Sequence, residues 1–217
     1  MLETASFDVV LPVLDEALAL PVVLADLPPS AIPLVVDNGS SDGSAAIARA
    51  LGVRVVVEQQ RGFGAACWSG LRAATRDVVC FMDCDGTFRG EDLLEVVAPV
   101  LDGSADLVLG ARQGTTGWPV HARWANRALA FELGRRTGMR FTDLGPMRAV
   151  RREALLGLGV ADRRSGWPLE MVLRAADAGW RIEERPVTYS PRIGRSKVTG
   201  TVAGSMRAVH DMAAVLR

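Results

Sequence analysis

Short, almost wholly apolar runs alternate with longer amphipathic stretches through the first half of the chain. Phe7 to Leu11, Ile32 to Val36, Val53 to Val57, Val78 to Met82 and Asp106 to Gly110 are rich in Val. They lack polar alternation, as strands do when both faces are buried. Asp15 to Leu27, Ser44 to Leu51, Ala65 to Thr75 and Asp92 to Leu101 read as the intervening helices. The alternation predicts an α/β fold: a central, mostly parallel sheet with helices on both faces. The second half is less regular. A helix is expected from about Ala122 to Thr137, a short strand pair around Phe141 to Val150, and a helix from Leu169 to Ala178 with Gly179 as its C-terminal stop. A strand from Arg181 to Tyr189, a loop from Ser190 to Lys197 and a last helix from Thr201 to Leu216 complete the pattern. With no repeat and no linker, one domain over residues 1–217 is expected.

Such sheets bind ligands beyond the carboxyl ends of their strands, and acids cluster there. Asp83-Cys84-Asp85 follows the Val78 run, and successive strand side chains alternate, so Asp83 and Asp85 share a face. Two carboxylates aimed together call for a cation, and oxygen donors suit Mg²⁺ or Mn²⁺, ions that bring substrate phosphates with them. Asp37, in Val36-Asp37-Asn38-Gly39-Ser40-Ser41-Asp42-Gly43, ends a second strand in the same way.

Bulk properties narrow the classes. The 217 residues are 49% hydrophobic and 23% charged, enough for a real core. Twenty-five basic residues balance 25 acidic ones, which argues against bulk nucleic-acid binding. No run is long enough to span a bilayer, and the N-terminal residues lack a basic leader. Cys67, Cys80 and Cys84 show neither metal spacing nor an even framework, so reduced thiols in a cytoplasm are expected. Lys197 is the sole lysine; the other basic residues are arginines.

Six segments, in order, resemble the family-2 glycosyltransferases of the GT-A (Rossmann-like) fold, and most of all their polyprenyl- or dolichyl-phosphate mannosyl- and glucosyltransferase branch. They are Leu11-Pro12-Val13-Leu14-Asp15-Glu16, the Asp37 segment, Gly62-Phe63-Gly64-Ala65-Ala66, Asp83-Cys84-Asp85-Gly86, Thr142-Asp143-Leu144-Gly145-Pro146-Met147-Arg148 and Arg192-Ile193-Gly194-Arg195-Ser196-Lys197. The resemblance implies a nucleotide-sugar half over about 1–112 and an acceptor half over about 113–217. It implies donor contacts from Pro12, Glu16, Asp37, Gly39, Asp83, Cys84 and Asp85, with Asp83 and Asp85 holding the divalent metal. Arg192, Arg195 and Lys197 would close over the site and meet phosphate oxygens. The reaction implied is inverting transfer of a hexose from a UDP- or GDP-sugar.

Three departures bear on mechanism. Asn38 stands where the family's second acid is usual, and its amide could still reach the ligand; Thr87 stands where a glutamine is often found, which puts a third metal ligand in question. Trp167-Pro168 occupies the place of the Glu-Asp pair that supplies a base to hydroxyl acceptors. Proline cannot take a proton, whereas an anionic phosphate acceptor needs no strong base, so a polyprenyl phosphate is the favoured acceptor. With a hydroxyl acceptor, a soluble small molecule or glycan, Asp143 and Glu170 become the candidate bases beside the catalytic Asp85.

Two other classes stay open: an NAD(P)-dependent oxidoreductase, from the Gly62-Phe63-Gly64 run, and a non-catalytic nucleotide-binding module. The last helix carries Val202, Met206, Val209, Ala213 and Leu216 on one face, for docking on the domain or in a homodimer. Its thin basic face allows at most peripheral contact with the inner face of a membrane.

Overall fold

The computed structural model describes residues 5–113, 120–194 and 210–216. Seven strands, β1 (Phe7–Val13), β2 (Ala31–Asp37), β3 (Arg54–Val57), β4 (Val78–Phe81), β5 (Leu107–Gln113), β6 (Arg148–Arg151) and β7 (Ile182–Thr188), form one sheet in the order β3-β2-β1-β4-β6-β5-β7. All pairs are parallel except those of β6, which runs against both β4 and β5. The α/β expectation holds.

Helices cover both faces, which is why β4 is apolar throughout and β1 is apolar but for Asp8, whose buried carboxylate accepts from the Thr75 and Arg76 N–H groups. On one face α1 (Leu20–Asp26), α2 (Ser44–Ala50) and α4 (Asp92–Leu101) bury Leu20, Val23, Ala48, Leu93, Val96 and Val97. On the other, α3 (Phe63–Ala73), α6 (Arg152–Gly157) and α7 (Trp167–Asp177) bury Ala66, Leu71, Leu155, Trp167 and Val172, joined by Leu133 of α5 (Val120–Thr137).

After β1 the chain adds β2 and β3 on one side, then returns to place β4 on the other. The crevice between β1 and β4 is therefore the topological switch point, where open α/β sheets bind ligands. Pairing between these strands ends at Val10 and Phe81, with one further bond from the Met82 N–H to the Val10 carbonyl. Pro12, two residues on, faces the same side beyond that last partner, so its missing N–H costs the ladder nothing.

Four expectations are corrected. The first helix begins at Leu20, not Asp15, because Asp15 adopts φ 55° and the N–H groups of Asp15, Glu16 and Ala17 donate to Ser40, Ser44 and Asp42 side chains. The expected strand pair is the single antiparallel β6; upstream of it, the Thr142 and Asp143 N–H groups donate to Glu184 and the Leu144 N–H donates to Asn126. Helix α6 was not anticipated. Helix α7 starts at Trp167, with Pro168 in its first turn, where a proline needs no N–H partner. Gly179, at φ 73°, ends α7 as expected. The described part of the last helix, 210–215, sends Met212 and Val215 to the α7 side of the core.

Candidate active site

Asp83 and Asp85 leave β4 at the switch point with Cys84 between them. The Cys84 side chain turns into the core, 2% exposed, which leaves its backbone for the donor contact expected of it. Burial, and then the neighbouring Asp85 carboxylate, push Asp83 up to about 7; the charges of Arg112 and Arg192 pull the other way, and Glu16 adds to the rise. Asp85 Oδ1 accepts from the Thr87 N–H at 3.1 Å and its hydroxyl at 2.6 Å. Its Oδ2 lies 3.7 Å from Arg192 Nη2, which donates to Glu16 Oε1 at 2.7 Å. One guanidinium thus bridges the acid after β1 and the acid after β4.

The segment carrying Arg192 is strapped onto the acidic turn. The Ser190 N–H donates to the Thr87 carbonyl, and the Ile193 N–H to the Asp85 carbonyl. Gly86, at φ 77°, lies under it: a Cβ there would come within 2.8 Å of Ile193 Cδ1. Arg195 and Lys197 lie outside the described residues.

Asp83 and Asp85 are the residues able to hold a hard divalent ion. Among the described residues no group of three or more His, Cys, Asp or Glu side chains converges on such a site. The donor set fits a cation that completes its coordination with ligand phosphate oxygens and water, the habit of Mg²⁺.

The other wall is built from β2. Asp37 is buried at its end, and its Oδ1 accepts from the Ser40 N–H at 3.2 Å. Asn38 turns away from any ligand: its amide donates to the Glu58 and Gln60 carbonyls and its Oδ1 accepts from the Gly62 N–H. Gly39, at φ 85°, admits the Arg61 guanidinium, which would lie 2.9 Å from a Cβ. Asp15, Glu16, Ala17, Asp42 and Ile193 enclose a cleft of about 350 Å³ beside this wall.

Three residues escaped the sequence reading. Arg112, at the carboxyl end of β5, forks onto Asp143 with bonds of 2.8 and 2.7 Å, and its backbone N–H donates to the same carboxylate. Tyr189 lies under that guanidinium, 5.6 Å away. The strand expected to stop at Gly110 runs on to Gln113, and that extension carries Arg112 into the site. Arg148 starts β6, and because β6 is antiparallel its first residue pairs with Phe81, the last of β4, and with Leu109 of β5. It is 1% exposed, donates to the Gly145 and Pro168 carbonyls, and is lowered by burial to about 10, so it stays charged at neutral pH.

Both candidate bases are engaged. The Asp143 carboxylate is held by Arg112, and Glu170 accepts from the Ala161 and Asp162 N–H groups and from Arg174. Burial works to raise Glu170, but those donors more than offset it and hold the carboxyl below its ordinary value.

The start of α3 decides against a dinucleotide. The Gly64 and Ala65 N–H groups point at the Arg164 and Arg163 carbonyls, at 3.0 and 2.8 Å. A Cβ on Gly62 would meet the Arg163 oxygen at 2.1 Å, and one on Gly64 the Trp167 Cβ at 2.7 Å. These glycines admit the chain's own backbone where a pyrophosphate would have to sit.

Comparison with known proteins agrees with this geometry. Residues 9–158 match the family described as Glycosyl transferase family 2. An uncharacterised glycosyltransferase of Mycobacterium tuberculosis is 48% identical over 206 residues, 94% of each chain. The undecaprenyl-phosphate mannosyltransferase of Micrococcus luteus is 31% identical over 216 residues, 90% of this chain and 88% of that protein. The crystal structure of glucosyl-3-phosphoglycerate synthase from Mycobacterium tuberculosis with Mn²⁺, uridine diphosphate and phosphoglyceric acid is similar at a TM-score of 0.78 and 25% identity, covering 98% of this chain and 78% of that one.

Proposed function

The chain belongs to glycosyl transferase family 2 and has the GT-A fold, and on that premise we propose that it moves a hexose from a nucleoside-diphosphate sugar to a polyprenyl phosphate. The observation that carries the proposal is the Asp83–Asp85 pair at the switch point, bridged through Arg192 to Glu16. A divalent ion bound by those carboxylates would neutralise charge developing on the departing nucleoside diphosphate. The Mn²⁺ and uridine diphosphate in the solved neighbour support Mn²⁺ or Mg²⁺ and a UDP-sugar here.

The chain's own residues then divide the work. Asp37, acceptor-only when ionised, receives hydrogen bonds from the base or ribose. Arg192 exchanges Glu16 for diphosphate oxygens, with Arg195 and Lys197 further along the same loop. Arg112 brings a positive charge to the acceptor side of Asp83, where an incoming phosphate is attracted and held. That phosphate oxygen is already anionic and attacks the anomeric carbon opposite the diphosphate, giving inversion. No base is required, which agrees with Pro168 in the base position and with the engagement of Asp143 and Glu170. The mannosyltransferase relative supports a lipid-phosphate acceptor.

A second reading, transfer to a soluble phosphorylated small molecule, is favoured by the phosphoglyceric acid in the solved neighbour. The two separate in one assay. Purified protein with Mn²⁺ and labelled UDP- or GDP-hexose is offered polyprenyl phosphate, the matching polyprenol, and phosphoglyceric acid. Label entering only the polyprenyl phosphate bears out the first reading. Label entering phosphoglyceric acid alone replaces it with the second, and label entering polyprenol refutes the base-free mechanism.

A further inference from the structure

Helix α5 carries large apolar side chains on its outward side as well as on its inward one. Its inward side buries Asn126, Ala130 and Leu133. A surface helix should be polar on the other side, yet Trp124 is 66% exposed and Phe131 75% exposed. Seven residues apart, they lie two turns along one outward line. Arginines flank that line: Arg123 and Arg127 beside Trp124, Arg135 and Arg136 beyond Phe131. The Arg127 guanidinium sits 5.9 Å from the Trp124 ring. Glu132 is the helix's only acid, and its carboxylate is taken by Arg135 and Arg136, whose hydrogen bonds lower it to about 2. The outward surface therefore combines bare aromatics with uncompensated positive charge.

We propose that this face of α5 is a docking surface for anionic phospholipid, on which Trp124 and Phe131 enter the headgroup boundary while the arginines meet phosphates. Aromatics at the headgroup level beside arginine are how an interfacial helix holds a membrane. A second copy of the chain is the wrong occupant. A two-fold contact would set the arginines of one face against the same arginines of the other. Among the described residues no helix is long and apolar enough to cross a membrane. Asn126, on the inward side of α5, accepts from the Leu144 N–H beside the Arg112–Asp143 pair, so a bilayer held on the outward side of α5 would lie near the acceptor side of the crevice. This purpose rests on the lipid-phosphate acceptor proposed above.

The test is co-sedimentation of the whole protein with vesicles free of polyprenyl phosphate, either phosphatidylcholine alone or about two parts phosphatidylcholine to one of phosphatidylglycerol. Wild type is expected to pellet with the mixed vesicles only and to be released by added salt. A Trp124→Ser, Phe131→Ser double variant, with unchanged thermal unfolding and unchanged nucleotide binding, is expected to bind at least about tenfold more weakly. Three results would overturn the proposal: wild type left in the supernatant with both vesicles, equal pelleting of wild type and variant, or a solution dimer that the variant breaks without any vesicle binding. Vesicle binding that persists when no hexose reaches a polyprenyl phosphate would leave the surface standing and refute the acceptor.

Discussion

The walls of the crevice before and after β5 are held together by different chemistry. Before it, short side chains tie neighbouring turns: Ser40, Asp42 and Ser44 accept from Asp15 to Ala17, Asp15 accepts from Ser41, and Asn38 anchors the turn before α3. From its carboxyl end onward, arginines reach across the sequence: Arg112 to Asp143, Arg148 to Gly145 and Pro168, Arg192 to Glu16. Every ion pair found among the described residues uses arginine. Short polar side chains fix a backbone locally and spread its stability over many small bonds. A buried arginine concentrates it in one group, whose loss leaves carbonyls or a carboxylate unpaired.

The comparison is broken most severely at the acids both walls share. Asp85→Asn is expected to lower kcat/KM by roughly 10²–10³-fold while the fold survives, read by transfer assay and thermal unfolding. Arg148→Met comes next. It strands two buried carbonyls and should cost about 3 kcal/mol in urea unfolding; a loss near zero would mean that the second wall is not arginine-built. Arg112→Ala leaves Asp143 buried without its partner and should cost about 2 kcal/mol, with a further rise in the KM for a phosphate acceptor.

Glu170 sharpens the contrast through pH. Its folded carboxyl is held below the unfolded value of about 4.3. The stability it contributes is therefore present above that value and lost as pH falls through the folded one. Glu170→Gln should flatten the fall in stability between about pH 5 and pH 3 measured by urea unfolding. The smallest effect belongs to the first wall: Ser44→Ala removes the acceptor for the Glu16 N–H and should cost about 1 kcal/mol.

The same division explains what was legible in the sequence. Two-sided burial writes itself as unbroken Val runs, so β1, β2, β4 and the alternation of elements could be read directly. Asp37, Asp83 and Asp85 were legible because a strand end is a local event. Asn38 looked like a ligand contact, since nothing local tells whether an amide faces a substrate or the Glu58 and Gln60 carbonyls. The start of α1 was misplaced because Asp15 leaves the helical region, at φ 55°, and Ser40, Asp42 and Ser44, some 25 residues away, hold the turn that follows. Arg112, and the role of Arg148 beyond its place in a matching segment, were invisible for a stronger reason. Their place in the site depends on β6 entering antiparallel between β4 and β5, a pairing that periodicity does not encode.

The central claim is that a cation on Asp83 and Asp85 joins the nucleoside diphosphate to this chain. The most direct test is calorimetric titration of uridine diphosphate, and in parallel guanosine diphosphate, into wild type, Asp83→Asn and Asp85→Asn, each with and without Mn²⁺. The account predicts binding of one nucleotide that requires Mn²⁺ and disappears in both variants, with their unfolding temperatures little changed. Equal binding with and without Mn²⁺, or binding that survives both substitutions, would contradict it.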